Sequence, residues 1–133
     1  MTFDLADYLD LAEDILKLSK AGQGEDNAYI RCCISRAYYS VYCIARNVKG
    51  FKGYSVKDPH SALINAYKTS RSNHKKTDHR IGGHLANLKR LRISADYHEE
   101  HTLTKDDAKD GVEKAKICLK LLVDTYGSNY NIY

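Results

Sequence analysis

Only one proline, Pro59, interrupts the 133 residues of this chain. Proline breaks a helix from within, because its ring removes an N–H and clashes with the preceding turn. A chain almost free of it can run long helices. The apolar residues here recur at the three-and-four spacing that long helices need. Leu5, Tyr8, Leu9, Ala12, Leu16 and Ser19 form one such stripe, with Asp7, Asp10, Glu13 and Asp14 on the opposite side. Asp4 is read as the N-cap of a helix that runs to about Lys20 and stops at Gly22-Gln23-Gly24.

A second helix is expected from about Glu25 to Lys49. Its apolar residues, from Ile30 to Val48, cover more than one face. Such a helix is central or lies at a subunit interface. Asp58-Pro59 opens a short third helix, with the acid as cap and the proline at the first position. Arg71 to Arg80 reads as a mobile polar loop. Ile81 to Tyr97 is the next helix, its start weakened by Gly82-Gly83. Thr104-Lys105-Asp106-Asp107 resembles a capping box for a last helix that ends at Gly127. The expected fold is all-α: an up-down bundle of four long helices plus a short one. It fills one domain over residues 1–127, with a frayed tail over 128–133.

Composition narrows the class. Apolar residues make up 43% and charged residues 29%, the mixture of a soluble globular protein. No run of about 18 apolar residues predicts a membrane span. Met1-Thr2-Phe3-Asp4 lacks the basic start and apolar run of a secretory signal. Cys32, Cys33, Cys43 and Cys118 contain no Cys-x-x-Cys pair and are read as reduced thiols, which points to a cytoplasmic protein. The net charge of +4 is unevenly spread: residues 66–92 carry eight Lys/Arg against Asp78 alone. That block is either a phosphate-binding surface or a solvated loop.

Arg92 and His98 follow the block, with five residues between them. A guanidinium matches phosphate oxygens, and an imidazole exchanges protons near neutral pH. On an unbroken helix the two residues point apart. They converge only if the helix ends near Tyr97, or if they come from different subunits. Asp96, four residues after Arg92, shares its face and is placed to orient it. Arg36 lies on the second helix among Tyr38, Tyr39 and Tyr42. A buried arginine needs a partner, and Asp96 is also its candidate. Lys89 and Arg90 flank the pair, and Lys75, Lys76 and Arg80 precede it, as candidate contacts to an RNA backbone. The three tyrosines either stack bases or pack the core. No histidines pair at the four-residue helical spacing, and no cysteine or carboxylate completes a set, so no metal site and no cofactor are expected.

Ser35-Arg36-Ala37-Tyr38-Tyr39-Ser40-Val41-Tyr42, together with Arg92-Ile93-Ser94-Ala95-Asp96-Tyr97 and the last amphipathic helix, resembles the HEPN superfamily, in particular its small stand-alone proteins. The resemblance covers about Leu5 to Tyr126. It implies a helical bundle that usually forms a homodimer. Many members are metal-independent endoribonucleases of toxin–antitoxin or anti-phage defence systems. Others are non-catalytic partners of a minimal nucleotidyltransferase. The family's Arg and His map onto Arg92 and His98, with Asp96, Tyr97 and Arg36 as supporting residues. Two departures are visible. Ile93 follows the arginine where family nucleases often carry a polar residue. Glu100 stands two places after the histidine, where nucleotidylated toxins carry a tyrosine. The implied activity is cleavage of RNA to 2′,3′-cyclic phosphate ends, with a nucleotidyltransferase-type antitoxin or another defence protein as partner.

Overall fold

The computed structural model describes residues 4–18, 27–50 and 57–127. Among these residues it is all helical: α1 Asp7–Leu18, α2 Ala28–Val48, α3 Pro59–Lys68, α4 Lys75–Tyr97 and α5 Lys105–Tyr126. The all-α bundle expected from the periodicity is therefore the fold. The stops proposed at residues 22–24 and the tail 128–133 lie outside the described residues.

α2 is the central helix. It packs against α1, α4 and α5, while α3 lies on α4. Ile30, Cys33, Ile34, Ala37, Tyr38, Val41, Ile44 and Ala45 are all buried along it, which is why its apolar pattern has no single face. Burying the isoleucine and valine side chains among them contributes roughly 1.5–3 kcal/mol each relative to exposure. Burial pushes the thiols of Cys33 and Cys118 up to about 11 and about 12. All four cysteines are free, and Cys32 alone is exposed.

Helix ends follow local chemistry. Asp58 accepts the Ser61 N–H at 3.1 Å, with Pro59 in the first turn of α3. Thr104 and Asp107 close a reciprocal capping box on α5, at 3.1 and 2.8 Å. Gly127, at φ 86°, ends that helix. α1 begins at Asp7 rather than just after Asp4, whose carboxylate instead accepts the Ala6 N–H at 2.9 Å.

One expectation is overturned. Residues 75–80 are not loop but the first turns of α4. The cause is Asp78, which is fully buried. Its carboxylate accepts from Ser70 at 2.6 Å, from Ser72 at 3.0 Å, from Tyr126 of α5, and from Lys49 after α2 at 3.5 Å. Burial works against its charge, but these donors outweigh burial and hold the carboxyl below its usual range. The turn after α3 is thereby tied to three other segments. An acid in the first turn also suits the helix dipole.

Gly82 and Gly83 sit inside α4, for different reasons. A Cβ on Gly82 would lie 2.8 Å from the Lys68 side chain and 3.0 Å from its backbone N. The glycine lets α3 approach α4 closely. A Cβ on Gly83 meets nothing within 4 Å. Gly82→Ala is expected to cost about 1–3 kcal/mol through overpacking. Gly83→Ala should gain up to about 1 kcal/mol from helix propensity. Urea unfolding midpoints that move the same way for both variants would refute this account of the pair.

Candidate nucleic-acid site

Arg92 projects from α4 toward α2 and is 9% exposed. Its Nε donates to Asp96 at 3.0 Å, one turn along the same helix. Its Nη2 donates to the Tyr39 hydroxyl at 2.8 Å and lies 3.4 Å from that of Tyr97. The guanidinium carbon sits 5.2 Å from the Tyr39 ring centroid and 5.3 Å from that of Tyr97. Burial opposes the charge, but Tyr39, Tyr97 and Asp96 more than offset it, so the guanidinium binds its proton more firmly than usual. Asp96 is held in turn by Ser35 of α2 at 3.3 Å. A tyrosine hydroxyl has one proton to give. Two hydroxyls that accept from Arg92 must direct their own protons elsewhere. Tyr97 is 68% exposed.

The expected Arg36–Asp96 pair does not form. Asp96 is taken by Arg92 from its own helix. Arg36 lies between the rings of Tyr8 and Tyr39, at 5.4 and 5.3 Å. Tyr39 is thus shared by two cations. Tyr38 and Tyr42 are buried and pack the core rather than offering stacking faces.

His98 caps the C-terminus of α4, so the helix does end where convergence with Arg92 would require. Even so, the two residues make no hydrogen bond with each other. His98 bonds Glu100 at 2.8 Å and opens on a groove of about 720 Å³ with Lys68, Lys89, Arg90, Ile93 and Ser94. A second depression, lined by Ser61, Ile64, Asn65, Lys68, Ala86 and Lys89, continues it along α3. Lys89 bonds Ser61 at 2.7 Å across that stretch. Lys75, Lys76 and Arg80 are exposed near the start of α4, roughly 18–26 Å along the helix axis from Arg92. By helical phase, Lys75, Lys76, Lys89 and Arg90 fall within an arc of about 140°. These four side chains therefore face the way the groove does.

Two functional neighbours escaped the sequence. Arg31, in the first turn of α2, donates Nη1 to the carbonyls of Ser94, Ala95 and His98 at 3.0–3.2 Å, and Nη2 to that of His101. It satisfies acceptors that the end of a helix leaves open. No local pattern announces such a long-range clamp. His60 of α3 stacks on Tyr42 at 4.1 Å, and its Nδ1 bonds the Tyr38 hydroxyl at 2.6 Å. Burial raises the Tyr38 phenol, which keeps its proton. Its position after Asp58-Pro59 marked His60 only as helical.

The HEPN domain model matches residues 6–126 of the chain. This is a HEPN protein. HEPN domains often serve as ribonucleases or as nucleotide-binding modules. None of the curated proteins and none of the solved structures matches the chain. Within the described part of this HEPN domain, no helix is long and apolar enough to cross a membrane.

Burial, with Arg92 and Lys89 nearby, lowers the basicity of His60. Burial and Arg80 do the same for His84. A histidine with a depressed folded-state value stabilises the fold above its unfolded value of about 6.5. That contribution is lost as pH falls through this value toward the folded one. Thermal midpoints should therefore drop between pH 7.5 and pH 5. His60→Gln should flatten that drop, and a profile parallel to wild type would refute the assignment.

Proposed function

We propose that this HEPN protein is an endoribonuclease that needs no metal, with Arg92 and His98 as its reactive groups. The observation that carries this reading is Arg92 itself. It is a permanent cation, buried, fixed by Asp96 and Tyr39, and flanked by the exposed side chain of Tyr97. A preorganised cation of this kind stabilises charge that develops on phosphate oxygens.

Arg92 faces α2, whereas His98 faces the basic groove. A homodimer that sets the His98 of one protomer against the Arg92 of the other supplies both groups to one phosphate. His98 takes the proton of a ribose 2′-OH. The freed oxygen attacks the adjacent phosphorus while Arg92 stabilises the non-bridging oxygens. The second His98 protonates the departing 5′ oxygen. The products are a 2′,3′-cyclic phosphate and a 5′-OH. The nucleophile belongs to the substrate, so DNA resists. Lys89 and Arg90 hold the backbone beside the reacting bond, and Lys75, Lys76 and Arg80 hold it farther along. We place the activity in a cytoplasmic toxin–antitoxin or anti-phage defence system, with a nucleotidyltransferase-type antitoxin or another defence protein as partner.

One observation favours a second reading. Nε and Nη2 of Arg92 are both engaged inside the protomer, as in a purely structural arginine. On that reading the chain is a non-catalytic binding module for a nucleotidyltransferase or other effector.

Purified protein incubated with total tRNA and with a labelled RNA in EDTA distinguishes them. Wild type should leave cyclic-phosphate ends, and His98→Ala should lose at least about 100-fold in rate. Replacing the 2′-OH at the cleaved position by hydrogen should block the cut. Undiminished cleavage by folded, dimeric His98→Ala would end the proposal. Lys89→Ala should weaken RNA binding and flatten its salt dependence.

A further inference from the structure

The turn after α4 gathers three metal-ligand side chains that no helical spacing announces. His98, Glu100 and His101 each offer a ligand atom, and these atoms lie within 4.8 Å of one another. Oε1 of Glu100 is 2.8 Å from Nδ1 of His98 and 3.9 Å from Nε2 of His101. The two imidazoles stack at 4.7 Å. The expectation of no metal site rested on helical spacing and on the lack of a completing carboxylate, but α4 ends at Tyr97, and the turn beyond it brings Glu100 to His98 and His101.

The turn is held in place before any ligand arrives. Arg31 reaches over from α2 to the carbonyls of both His98 and His101. Nδ1 of His101 bonds the Ser94 hydroxyl at 3.1 Å, which leaves its Nε2 toward Glu100. Metal-binding histidines use their second nitrogen in this way. Glu100 brings a carboxylate to the turn, within hydrogen-bond reach of His98. Glu99 adds a second negative charge to the turn, while Lys89 and Arg90 line the same groove and oppose a cation. Two imidazoles and one carboxylate suit Zn²⁺, Co²⁺, Ni²⁺ or Cu²⁺, whereas Mg²⁺ and Ca²⁺ seek all-oxygen shells.

We propose that His98, Glu100 and His101 form a site for a zinc-type divalent cation, and that its occupancy shuts off RNA cleavage by occupying His98. The inhibitory half rests on the proposed nuclease reading; the binding half does not. The inhibited enzyme keeps its Arg92 but lacks its base.

The test titrates metal-free full-length protein with Zn²⁺ by calorimetry and follows bound Co²⁺ by visible absorption. One equivalent should bind to wild type. His101→Ala and Glu100→Gln should each weaken binding at least tenfold, and Cys32→Ser should leave it unchanged. Excess Mg²⁺ should not compete. In the cleavage assay, equimolar Zn²⁺ should silence wild type but not His101→Ala, which retains His98. No stoichiometric binding, or equal binding by His101→Ala, overturns the site. Binding as described in a protein that cuts no RNA without metal upholds the site and overturns both the inhibition and the nuclease. Cleavage that persists in saturating Zn²⁺ overturns the inhibition alone.

Discussion

A guanidinium carries its charge wherever it is buried, and the seam between α2 and α4 is arranged around that fact. Arg92 cannot be left unpaired at 9% exposure, because an unmatched buried charge costs several kcal/mol. Asp96 supplies the counter-charge from the same helix, and Ser35 and Tyr39 reach across from α2. The register of α4 on α2 is fixed by these bonds as well as by packing. Arg31 fixes the same pair of helices at the end of α4, through carbonyls rather than a carboxylate. Two arginines thus determine where α4 stops and which way its last side chains point.

Sequence made the fold legible where it depends on local chemistry. Proline at the start of α3, the Thr104–Asp107 box and Gly127 could be read directly, since each interaction spans only a few residues. The bundle followed from periodicity because burial of an apolar stripe is insensitive to detail. The start of α4 was hidden for the opposite reason. Residues 75–80 look polar, and the one that anchors them is an aspartate. Only the positions of Ser70, Ser72, Lys49 and Tyr126 turn Asp78 into an interior residue.

The candidate site was legible in part. Arg92 and Asp96 pair as their four-residue spacing predicted. Arg36 was read as buried and paired with Asp96; it is only half-buried, and cation–aromatic contacts with Tyr8 and Tyr39 take the place of a carboxylate. Arg31 and His60 were missed because their partners lie far off in sequence: residues 94–101 for one, Tyr38 and Tyr42 for the other. The cluster at residues 98–101 needs the helix to have ended, a boundary that periodicity locates only within a turn or so.

α4 is bonded near both ends, by Asp78 at one and by Arg31 at the other, and it runs unbroken over its 23 residues. A rod held in this way works as a ruler. Lysines 75 and 76 and the imidazole of His98 keep a constant separation, roughly 33–35 Å along the axis. Any ligand that touched both ends would have to span that length.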